Sequence, residues 1–168
     1  MTTSRSSGAT AQAVAPEGFP DPERLEAMRG LEDAFSQLMT EWRRVYAIAA
    51  ETAAPGLQPG SYKVLSVVAR TGAITVSSLA EKLTADKGLT SRAVSELEDH
   101  GLVARTTDPA DGRVRLIEIT DVGQERLAAA RAPYEQRLAT TLGDWPVDTI
   151  TRLTDLLQAL AAGQVPAH

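Results

Sequence analysis

Residues 74–120 read ITVSSLAEKLTADKGLTSRAVSELEDHGLVARTTDPADGRVRLIEIT. Thr75 is a helix cap for a short segment in which Leu79, Ala80 and Leu83 face inward, with Ile74 placed to staple onto Leu79. Thr84-Ala85-Asp86 makes a turn, and Asp86 caps a second helix that runs to about His100 and stops at Gly101. Residues 102–106 and 115–119 then read as strands, joined by a loop holding the turn-forming pairs Asp108-Pro109 and Asp111-Gly112. Two helices, a turn and a tipped hairpin predict a winged helix-turn-helix, a shape suited to duplex DNA.

Outward from this run the periodicity is helical. Asp21 caps and Pro22 opens a long helix whose Met28, Leu31, Phe35, Leu38, Trp42, Val45 and Ala49 trace one stripe, ended by Ala54-Pro55-Gly56. A helix over 59–69 turns Tyr62, Leu65, Val68 and Ala69 inward. After Thr120 helical spacing resumes, is interrupted at Pro133, and restarts near Asp144 with Ile150, Leu153, Leu157 and Leu160 on one side. The predicted class is mainly α with a small β-wing, in keeping with 43% hydrophobic but only 4% aromatic residues. The expected organisation is a disordered tail over 1–20, a dimerisation helix over 21–56, the winged lobe over 57–120, C-terminal dimerisation helices over 121–163 and a short tail over 164–168. The first twenty residues have no continuous apolar stretch, so neither a leader nor a membrane anchor is expected, and a cytoplasmic location is.

The net charge of −5 opposes bulk attraction to phosphate, and residues 75–120 carry six basic against eight acidic side chains. Arrangement must supply what net charge does not. On the second helix of the motif Thr90, Val94 and Leu97 form the inward stripe, while Lys87, Ser91, Arg92 and Ser95 give a polar surface free of acids; Glu96, Glu98 and Asp99 fall toward the other end. The N-terminal part of such a helix is what meets base edges. Lys87 and Arg92 suit guanine acceptors or phosphate, and the serines suit either. Gly88 is readable as room for close approach or as an inconsequential helix-start glycine. In the hairpin, Arg113 and Arg115 flank the second strand and Arg105 lies on the first, so a basic tip can enter a minor groove. Asp111 is placed to hold either the Arg113 side chain or a loop N–H, and an ordinary Asp-Gly hairpin with solvated arginines is the plainer reading.

Together, Ser78-Leu79-Ala80, Thr90-Ser91-Arg92 through Leu97-Glu98, Gly101 to Arg105, the 108–113 wing and Ile119 to Gly123 resemble the MarR family of transcriptional regulators, over roughly residues 21–163. The resemblance implies a recognition helix in the major groove, Arg113 in the minor groove with Asp111 supporting it, and a homodimer of interlocked terminal helices on a pseudo-palindromic site. Gly112 departs from the pattern, standing where many relatives carry another arginine. Long exposed apolar stripes on the first and last helices also argue for a partner copy. The family often responds to small aromatic or phenolic anions, for which Trp42, Arg43, Tyr46 and Tyr62 are candidate liners, although Trp and Tyr at this spacing more often describe core and Arg43 reads as solvated.

Cysteine is absent and the only histidines are His100 and His168, so no metal site, metal cofactor or thiol switch is expected. No phosphate-binding glycine loop, nucleophile elbow or His-based dyad is present, and an enzyme is not expected. The reading is a dimeric, sequence-specific regulator of transcription, a ligand-relieved repressor that binds double-stranded DNA. The alternative is a winged-helix protein-interaction module that does not read DNA.

Overall fold

The computed structural model describes residues 21–165, so the expected tails lie outside it apart from Gln164 and Val165. The elements are α1 (Pro22–Ala53), α2 (Pro59–Thr71), α3 (Val76–Leu83), α4 (Lys87–Asp99), β1 (Val103–Thr107), β2 (Arg115–Ile119), α5 (Asp121–Leu142) and α6 (Val147–Ala161). By contact the chain divides into two units, one ending at Thr40 and one beginning at Glu41.

In the first unit, the Asp21 carboxylate accepts the Arg24 N–H at 2.8 Å and so caps α1. Phe35 is half-buried, whereas Met28, Leu31, Leu38 and Met39 are exposed.

The second unit is centred on α2. Leu65 and Val68 of α2 are fully buried with Leu79 of α3, Val94 and Leu97 of α4, Leu102 and Ile117. Helices α3 and α4 contribute the residues their periodicity predicts, and the structure adds Leu102 and Ile117. Two caps follow the sequence, Thr75 Oγ1 accepting from Ser78 N–H at 3.1 Å and Asp86 Oδ1 from Leu89 N–H at 2.9 Å, and the structure adds a third, Thr120 Oγ1 accepting from Gly123 N–H at 2.9 Å. Gly56, Gly72 and Gly101 close the preceding helices at positive φ, which only glycine adopts without strain.

The turn between α3 and α4 departs from that rule. Thr84 occupies the left-handed region (φ 50°, ψ 44°), where a β-branched residue is disfavoured by roughly 1–2 kcal/mol. Its side chain is exposed, so little packing is lost by replacing it. Thr84→Gly is expected to raise stability by about 0.5 kcal/mol, the strain relieved less the extra unfolded-state freedom of glycine. A urea unfolding midpoint that fell would contradict the strain.

The hairpin is antiparallel, with Val103 opposite Ile119 and Thr107 opposite Arg115. A third short arm joins it: Ile74 N–H donates to Ile117 O at 3.1 Å and Ile117 N–H returns to Ile74 O at 2.8 Å. Ile74, expected only as a staple, therefore ties the start of α3 to the wing.

Two boundaries differ from expectation. Pro133 does not interrupt α5, which continues unbroken to Leu142. Proline removes one N–H and leaves the Ala129 carbonyl without its helical donor, but both residues are exposed and water can serve that oxygen. The last helix starts at Val147, three residues after Asp144, because Pro146 (φ −58°, ψ 138°) sits at its cap and steers Trp145 away from helical geometry. No residue of α6 is buried, and Leu153, Leu156, Leu157 and Leu160 are all exposed. Among the described residues no helix is long and apolar enough to cross a membrane.

Candidate nucleic-acid interface

Helix α4 presents its polar side as its sequence predicts. Lys87, Arg92 and Ser95 are exposed and Ser91 is half-buried, while Thr90, Val94 and Leu97 point into the core. Thr90 is additionally fixed by a hydrogen bond from its hydroxyl to the Asp86 carbonyl (2.9 Å).

Two of the three acids of α4, Glu96 and Glu98, are committed to internal contacts. Glu96 reaches across to the start of α2, accepting from Gln58 N–H (3.0 Å) and from the Ser61 hydroxyl (2.5 Å). Gln58, at the cap position of α2, makes no side-chain cap bond of its own, so Glu96 supplies the anion that the helix start favours. Glu98 pairs with Arg105 at 3.0 Å. Arg105 also donates to Ser95 Oγ at 3.4 Å, which holds this arginine against α4 instead of leaving it free on the hairpin.

Ser61 is only 3% exposed, so loss of the Glu96 carboxylate strands a buried hydroxyl. Glu96→Ala is expected to lower unfolding free energy by about 2 kcal/mol, with Glu96→Gln recovering part of it. Equal stability of wild type and Glu96→Ala in urea would remove the cap from the account.

The wing is organised by its aspartates. Asp108 accepts the Ala110 N–H at 2.8 Å, and Asp111 accepts the Arg113 N–H at 2.9 Å. Of the two partners open to Asp111 in the sequence, it takes the backbone one. The loop closes with Val114 N–H on Asp111 O and Asp108 N–H on Val114 O. Arg113 is exposed at the tip, and Arg115 donates to Thr107 Oγ1 across the strand pair. Gly112 is not at positive φ, and a side chain added there would meet no atom within 4 Å. The three ion pairs among the described residues use Arg44, Arg105 and Arg137, leaving Lys87, Arg92, Arg113 and Arg115 outside them.

A second feature lies between α1, α2 and α5. A cavity of about 170 Å³ is lined by Trp42, Tyr46, Tyr62, Ser66, Arg131 and Tyr134, among others. Its aromatic rings touch in sequence: Trp42 to Tyr134 with centroids 5.0 Å apart, Trp42 to Tyr46 at 5.8 Å and Tyr46 to Tyr62 at 5.5 Å, edge-on. Three of the four expected liners are thus brought together. Arg43 is not; it is exposed, and the cation at the cavity is Arg131 of α5. A single step along the helix turns Arg43 about 100° away from the side that carries Trp42. Burial raises the Tyr62 hydroxyl above its usual pKa, against the opposing influence of Arg131 and Ser66. Tyr134 is raised as well, by burial and then by Tyr46.

Among the described residues no cluster of His, Cys, Asp and Glu is suited to a metal ion.

The fold and this polarised face define a winged helix-turn-helix protein. A family model described as the MarR family matches residues 57–114. YxaD, an uncharacterized HTH-type transcriptional regulator of Bacillus subtilis (strain 168), is 32% identical over 118 residues, covering 70% of this chain and 82% of the relative. A MarR family protein from Bacillus stearothermophilus superposes with a TM-score of 0.67 at 22% identity, covering 87% of this chain and 98% of its own. Streptococcus pneumoniae FabT, solved in complex with DNA, gives a TM-score of 0.63 at 15% identity, covering 79% and 95% respectively. The structural likenesses show the fold. The chain belongs to the MarR family and is a DNA-binding transcriptional regulator; its relatives are named as transcriptional regulators.

Proposed function

We propose that the protein is a cytoplasmic, homodimeric repressor that reads a pseudo-palindromic operator with α4 in the major groove and the wing in the minor groove. The observation that carries this reading is the division of charge. Lys87, Arg92 and Arg113 face outward, while Glu96 and Glu98 are engaged in internal contacts. Dimerisation is supported by exposed apolar residues on each terminal helix taken separately: Met28, Leu31 and Leu38 on α1, and Leu153, Leu157 and Leu160 on α6. Two-fold symmetry then places the half-sites about one helical turn apart.

The test selects bound fragments from genomic DNA and measures duplex shifting by wild type, Arg92→Ala and Arg113→Ala, with native mass measured in parallel. Both variants lose affinity at unchanged dimer mass, and binding weakens with salt as released counterions require. Wild-type affinity in both variants would overturn the assigned face. Binding that ignores salt would instead favour a protein-interaction module.

Relief by a ligand is the second part of the proposal. The cavity has room for about one aromatic ring, and Arg131 with the Tyr62 hydroxyl offers an anion or phenol both charge and a hydrogen bond. Hydroxybenzoate is the probe: it releases DNA from wild type and not from Arg131→Ala if this cavity is the effector site.

A further inference from the structure

We infer that Leu89 reads thymine in each half-site through the base's 5-methyl group. This rests on α4 entering the major groove as proposed above, and it adds a contact that the polar residues of the helix do not supply.

Leu89 is the third residue of α4, and the Asp86 carboxylate holds its backbone N–H at 2.9 Å. Its place on the leading turn is therefore fixed. The side chain is 58% exposed, and among the described residues between 57 and 120 no other large apolar side chain is exposed. A single surface leucine is ordinary in itself. What distinguishes this one is its setting. It follows Lys87 and Gly88 and lies three residues before Arg92, so it shares the helix end on which the candidate DNA-facing cations stand. Gly88 has no side chain to hold the leading turn off a surface.

Leu89 also walls a shallow groove with Val64 and Ala93 at its apolar side and exposed Lys63 of α2 at its rim. An apolar wall beside a cation matches a nucleotide that offers both an apolar group and a phosphate. In the major groove only thymine has an apolar group on its edge; the other bases show donors and acceptors alone there. A leucine at this position gains from thymine and leaves the cytosine amino group without a partner.

The experiment replaces thymine by uracil, one symmetric pair at a time, in a duplex selected from genomic DNA by the full-length protein. This removes only the methyl groups. Wild type is expected to lose about fourfold in affinity per methyl at one pair, or about fifteenfold for both half-sites. Leu89→Ala starts weaker and shows no further loss at that pair. Its unfolding curve is compared with wild type, and the uracil series on wild type needs no variant at all. Uniform indifference of wild type to every uracil pair overturns the inference, as does equal sensitivity in Leu89→Ala. If Arg92→Ala and Arg113→Ala also bind like wild type, the docking itself is wrong. If they lose affinity while the uracil series stays flat, only the role of Leu89 falls.

Discussion

Gly123→Ala is expected to lose about 3 kcal/mol or more of stability, the largest effect of a methyl added at any of the described glycines. A Cβ at Gly123 would lie 2.0 Å from the Leu102 carbonyl oxygen and 2.8 Å from Ile119 Cγ1. Neither neighbour can yield cheaply. The Leu102 carbonyl accepts the Thr120 N–H at 3.1 Å, and Leu102 itself is fully buried. Thr120 in turn donates its hydroxyl to Gly101 O at 2.7 Å while accepting the Gly123 N–H. Moving α5 outward to admit the methyl breaks this clasp, and moving Leu102 disturbs the core beneath β1. The check is a thermal or urea midpoint beside that of Gly60→Ala, where no atom stands within 4 Å and a small gain or no change is expected. About 3 kcal/mol corresponds to a fall of roughly 6–12 °C for a domain of this size. A variant melting with wild type would mean that the helix start does not approach Leu102 as described.

Arg113→Ala is expected to weaken operator binding by about thirtyfold, with little change in stability. The figure takes about 1 kcal/mol for one lost cation contact in each of two wings. Arg113 is exposed at the tip, and the hydrogen bond from its backbone to Asp111 does not depend on its side chain. The loop thus keeps its shape in the variant, and the loss reports the guanidinium itself. Few cations share the task, so each carries a large part of the salt dependence. Gly112→Arg is the converse: its backbone does not need glycine and its surroundings are open, so an added wing cation should tighten binding and steepen the salt slope by about one per wing. Affinity and slope measured over a salt series check both. An Arg113→Ala protein that binds with the wild-type slope would place the wing away from DNA.

Local rules made most of these elements legible. Asp21, Thr75 and Asp86 cap the helices that their spacing implies, and the stripe Thr90, Val94, Leu97 is the buried side of α4. Features that depend on partners distant in the chain were not legible. Ile74 pairs with Ile117 as a single bridge, too short to leave an alternating pattern. Glu96 serves a helix start 38 residues away, and nothing in its own surroundings marks it as a cap. Likewise Arg131 replaces Arg43 at the aromatic cavity because the face that α5 turns to α1 is set by tertiary packing, whereas Arg43 merely adjoins Trp42 in sequence. Pro133 misled in the other direction. The rule that proline ends helices weighs a lost hydrogen bond and a ring clash with the preceding turn, and at this exposed position water at the freed carbonyl offsets part of that cost.

The internal engagement of Glu96 and Glu98 has a consequence for how this regulator can change its target. The contacts by which α4 secures the fold, namely the α2 cap, the Arg105 pair and the buried Thr90, Val94 and Leu97, are made by residues other than Lys87, Leu89 and Arg92. Substitutions confined to those three positions can redirect the protein to a new operator at little risk to folding, whereas a side chain at Gly88 would crowd the Asp86 carboxylate that caps α4; specificity can thus be rewritten at Lys87, Leu89 and Arg92, by selection or by design, independently of the architecture.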